Sequence, residues 1–68
     1  MDKLKEIRKR KGLTVTNMAK MLNISGPFYS QIEHKKRRLS YTMAIRIANI
    51  FHLKPDEIFY DDFLKDVD

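Results

Sequence analysis

The sequence predicts an all-α domain of five short helices, and three observations carry that prediction. Apolar residues recur at helical spacing, most clearly at Ala44, Ile47, Ala48 and Phe51, which follow i, i+3, i+4, i+7. Serine or threonine stands just before three of the helical stretches, at Thr14, Ser25 and Ser40. There a side-chain oxygen can accept an orphan amide of the first turn. No segment of the 68 residues alternates apolar and polar side chains as a half-buried strand does.

The first helix is predicted over Asp2 to Lys11, with Leu4 and Ile7 on one side. Asp2 suits its N-terminus, and the run Arg8 to Lys11 suits its C-terminus, through the helix dipole. Gly12 then acts as the C-terminal cap. Thr14 caps the second helix, where Met18 and Leu22 lie four apart with the small Ala19 beside them. Asn23 follows, and asparagine tolerates positive φ better than other non-glycine residues, so a tight turn is expected with Ile24 packed beneath it.

Ser25 opens the third helix. Gly26 and Pro27 take its first two positions, where the amide that proline lacks would be unpaired anyway. Tyr29 and Ile32 face inward, and the helix runs to Glu33 or His34. The stretch HKKRR, His34 to Arg38, is too charged for a core and reads as a loop. Ser40 caps the fourth helix, and Pro55 starts a short fifth one through Phe59. The expected organisation is one domain over residues 1–60, followed by an acidic C-terminal tail over 61–68 that carries Phe63 and Leu64.

Length and charge narrow the function. Sixty-eight residues allow one domain. No cysteine is present, and no apolar run nears the roughly 20 residues of a membrane span, so a cytoplasmic location is expected and no membrane partner. The net charge is +5 and uneven: residues 1–38 hold eleven Lys/Arg and three Asp/Glu, residues 39–68 three and six. A basic half of this kind points to an anionic partner such as nucleic acid. Catalysis finds no footing. His34 and His52 lie far apart without cysteine partners, and Asp61, Asp62, Asp66 and Asp68 lack the spacing of a calcium loop. No glycine loop for phosphate is present, so no enzyme, metal, cofactor or small-molecule ligand is expected.

Residues 15–34 form a unit of twenty. Met18, Ala19, Leu22, Asn23, Ile24, Tyr29 and Ile32 fall where two steeply crossing helices and their turn need apolar, small and turn-forming side chains. This is the helix-turn-helix pattern, whose first helix crosses the DNA backbone and whose second enters the major groove. The chain resembles the phage-repressor type of helix-turn-helix protein, the Cro/C1-type or Xre family. The resemblance rests on LKEIRKRKGLT at 4–14, MAKMLNIS at 18–25, YSQIEHKKRRLSY at 29–41 and AIRIANIFHLKPDEIF at 44–59. It implies a compact five-helix lambda-repressor-like fold, a bacterial or phage origin, and a homodimer that represses transcription on a palindromic operator in double-stranded DNA.

The resemblance also implies site residues. Similar proteins present polar side chains at the places taken here by Ser25, Gly26, Pro27, Ser30, Gln31 and His34. Gln31 can pair with adenine, and Ser30 can donate or accept. His34 can reach a base edge or a phosphate. Phe28 can touch a thymine methyl or pack against its own protein. Ser25, Phe28, Ser30, Gln31 and His34 are therefore the expected base readers. Thr14, Lys35, Lys36, Arg37, Arg38 and Tyr41 are the expected phosphate contacts, while Lys3, Arg8 and Lys11 are set further back. Glu33, a single acid in the most basic region, is expected to orient a basic neighbour or accept hydrogen bonds. Phe59, Tyr60, Phe63 and Leu64 form an apolar cluster expected at a dimer interface or at the bottom of the core. Val15 stands where relatives often carry a phosphate-binding glutamine, and Lys35 where a glycine commonly ends the recognition helix. With the bare Gly26-Pro27 opening, Val15 leaves a second reading: a protein-binding module on the same fold, an antitoxin or a regulatory adaptor.

Overall fold

Helices α1 (Asp2–Arg10), α2 (Val15–Leu22), α3 (Gly26–Glu33), α4 (Tyr41–Ile50) and α5 (Pro55–Lys65) follow one another in a computed structural model that describes residues 1–65. Among the described residues there is no strand, and no helix is long and apolar enough to cross a membrane. Asp66 and Asp68, counted above as tail acids, lie outside the described residues.

The three expected caps form. Thr14 Oγ1 accepts the Asn17 N–H at 3.0 Å while Asn17 Oδ1 accepts the Thr14 N–H at 2.9 Å, a reciprocal capping box. Ser25 Oγ accepts the Phe28 N–H at 3.1 Å, and Ser40 Oγ accepts the Met43 N–H at 3.1 Å. The chain leaves α2 through Asn23 at φ 58°, in the left-handed region that asparagine tolerates. Leu4, Met18, Leu22, Tyr29, Ile32, Ile47 and Phe59 fill the core, together with the small Ala19, Ala44 and Ala48. Arg46 of α4 donates to the Leu22 carbonyl, so the C-terminal end of α2 is tied to α4.

The C-terminal region departs from expectation. In place of a short helix and a tail, α5 runs unbroken to Lys65. Phe59 and Phe63 are one turn apart with ring centroids separated by 6.0 Å, and Phe63 also meets Tyr41 at 6.1 Å. This aromatic packing carries the helix past residue 60, while Asp56 and Glu57 in the first turn and Lys65 in the last complement its dipole. Phe59, expected at a dimer interface, is fully buried within the protomer and belongs to the core. Phe63 is half-buried, and only Tyr60 and Leu64 of that cluster stand out in solvent.

Candidate nucleic-acid interface

The site is built on α3. Its inward face carries Tyr29, Ile32 and Glu33, all buried. Glu33 fixes the helix to the rest of the molecule. Arg8 of α1 donates from Nε to Glu33 Oε2 at 3.0 Å and from Nη2 to Oε1 at 2.9 Å, a bidentate pair. Tyr29 donates its hydroxyl to the same carboxylate at 2.7 Å, and Arg8 Nη1 reaches the Leu13 carbonyl at 2.9 Å. One guanidinium thus ties α1, the α1–α2 loop and α3 together. Burial alone would push Glu33 upward, but the hydrogen bonds from Arg8 and Tyr29 outweigh it and hold the carboxyl below the usual carboxylate range. Tyr29 is pushed up by burial and by the Glu33 carboxylate, so it stays a donor. Arg8 is raised by its hydrogen bond to Glu33, so all members keep fixed charges.

Glu33 accordingly does what a lone acid in a basic region was expected to do. Arg8, set back from the groove and expected as a solvated cation, is instead buried in this ion pair. The signal for its role was in the sequence, since Leu4 and Arg8 are four apart on one helical stripe and Leu4 is core.

The outward face holds three of the expected readers, Ser30, Gln31 and His34, while Phe28 packs partly against the core. Pro27, Ser30, Gln31, His34 and Lys36 border one shallow depression. His34 folds back on its own helix, with Nδ1 at 2.8 Å from the Ser30 carbonyl and 3.3 Å from Ser30 Oγ. A carbonyl only accepts, so the Nδ1 proton lies in that contact and Nε2 is left for an outside group. Ser25 spends its oxygen on the cap and keeps its hydroxyl proton to donate.

The loop after α3 divides. Lys35 takes the left-handed conformation, φ 60°, at the position where the resemblance expects glycine, and its ammonium pairs with Asp62 of α5 at 3.1 Å. That pair raises Lys35 and turns it away from the readers. Arg37 turns the other way. Its guanidinium carbon lies 4.4 Å from the centre of the Phe28 ring, and its Nε donates to Gln31 Oε1 at 3.2 Å. Lys36 and Arg38 are exposed and make no ion pair among the described residues. Thr14 sits apart at the start of α2, and Tyr41 at the start of α4, 63% exposed, with its ring against Phe63.

Comparison with known proteins agrees with this architecture. A helix-turn-helix family model matches residues 4–58. An uncharacterized HTH-type transcriptional regulator, YqaE, of Bacillus subtilis (strain 168) is 40% identical over 55 residues. The match covers 81% of this chain but 47% of the relative, so the chain spans about half the length of the curated relative it matches. No solved structure matches the chain.

Proposed function

The chain belongs to the helix-turn-helix family, and from that premise we propose that it is a DNA-binding regulator of transcription acting in the cytoplasm. In this reading it is a repressor that binds a palindromic operator as a homodimer, with α3 in the major groove. The observation that carries the reading is the division of α3 into two faces. Its inner face is locked by Tyr29, Ile32 and the Arg8–Glu33 pair, while Ser30, Gln31 and His34 look outward beside Lys36. A rigidly held helix with a polar outer face and flanking cations is what reading base edges and holding phosphates requires. The overall charge of +5 favours the same partner.

The test is selection of bound sequences from a random duplex pool, followed by footprinting and titration at several salt concentrations. We expect a two-fold symmetric site and an affinity that falls with salt at a log–log slope of about −0.9 for each phosphate contact. A salt-independent interaction, or a stable complex with another protein that excludes DNA, points instead to a protein-binding module.

A further inference from the structure

We propose that Arg37 reads a guanine in the major groove, with the Phe28 ring as its platform and Gln31 as its positioning partner. The inference rests on the DNA-binding reading above and goes beyond it by moving a loop arginine from the backbone to the bases.

Three features lead there. The first is direction. Arg37 belongs to the loop after α3, yet its side chain returns to the helix, stacking on Phe28 and bonding to Gln31. Phe28 and Gln31 are three apart and so share a face of α3. The guanidinium therefore lies against that face, between the first turn and the middle of the helix. A phosphate clamp would instead extend from the end of the helix.

The second is the chemistry left over. The guanidinium carbon sits over the Phe28 ring at 4.4 Å, and Gln31 takes the Nε–H. The remaining N–H donors, on Nη1 and Nη2, make no hydrogen bond among the described residues and form an open fork. With its oxygen accepting from Arg37, Gln31 has its two amide N–H donors left to offer. The cluster thus presents donors. Guanine shows two acceptors, O6 and N7, in the major groove, whereas adenine shows an acceptor beside a donor and thymine an acceptor beside a methyl group. A planar cation stacked on an aromatic face also keeps its fork in one orientation, which an ammonium cannot do.

The third is space. Gly26 and Pro27 open α3 without long polar side chains, and a Cβ added at Gly26 would meet nothing within 4 Å. Gly26 and Pro27 therefore offer no long competing side chain, and an arm from the loop can take that role. Phe28 is then the floor under Arg37, and the choice between a thymine methyl contact and packing within the protein falls to packing.

The experiment is the random-pool selection repeated with the full chain and three variants, Arg37→Ala, Arg37→Lys and Gln31→Ala. For the unaltered chain we expect a strongly preferred G·C pair in each half-site. Arg37→Ala should lose the preference at that pair alone, with affinity for the selected site down about 10- to 100-fold, the range of one bidentate contact. Binding to mismatched duplex should change far less. Arg37→Lys keeps the charge but lacks the fork and should not restore the guanine. It also guards against a folding defect in the alanine variant. Gln31→Ala should weaken the preference at the same base pair, which a purely structural glutamine would not do. An equal loss on every sequence would make Arg37 a phosphate contact, and an unchanged selection would make it only a cover for Phe28. If the unaltered chain selects no DNA, the regulator reading itself fails, and that appears before any variant is tried.

Discussion

Glu33 sets how firmly the interface is held, because its carboxylate is buried and serves two donors at once. Replacing it by glutamine leaves the Arg8 guanidinium buried without a counter-charge, which should cost about 3 kcal/mol at neutral pH, the low end for such a broken pair. The cost should depend on pH in a definite direction. The folded-state carboxyl is held below its usual value, so its stabilisation is present above the carboxylate range and is lost as the pH falls through it. Urea unfolding of both proteins at decreasing pH should therefore show the penalty of Glu33→Gln shrinking in acid. A penalty that stays constant with pH would mean that the charge is irrelevant. The charge logic of this residue was readable from the sequence, since a lone acid among so many cations wants a partner. Its partner was not, because Arg8 lies 25 positions away: its place on the Leu4 stripe turns it inward, but only the packing of α1 against α3 brings it to Glu33. Gln31 shows the same limit: an amide able to pair with adenine can be read in the chain, but its contact with Arg37 depends on the path of a loop.

At the scale of the element, α3 answers why a helix opens with Gly26-Pro27. Pro27 sits in the first turn, where no helical amide is owed, and Ser25 supplies the cap. Ser25→Ala should cost about 1 kcal/mol of stability, while Ser25→Asn should retain most of it, because asparagine caps as well as serine. Thermal unfolding of the two variants checks this. Equal losses would show that the cap contributes nothing. Capping and hydrophobic spacing are local, which is why α1 to α4 were legible almost to the residue. The last helix was not. Its acidic composition after residue 60 resembles a solvated tail, and only the contact of Phe63 with Phe59 and Tyr41 reveals that the turn continues. Charged side chains do not end a helix when they lie on its wet side.

At the scale of the molecule, one face of α5 is unaccounted for by the core. Tyr60 and Leu64 are four apart and 57% and 53% exposed, so they form an apolar strip on the surface of a very small domain. Under the homodimer reading this strip is where two copies meet, with Phe59 excluded because it is buried and Phe63 reduced to a supporting role. A two-fold dimer engages two half-sites one helical turn apart, about 34 Å, so that the second contact becomes intramolecular once the first is made. The expected outcome is concentration-dependent dimerisation in sedimentation equilibrium, abolished by Leu64→Glu or Tyr60→Lys without loss of helical signal. Those variants should bind the two-half-site operator at least about 100-fold more weakly, yet bind an isolated half-site as the unaltered chain does, because α3 is untouched. If instead they remain dimeric and bind the full operator normally, the strip is not the contact, and another surface must bring the two copies of α3 into register.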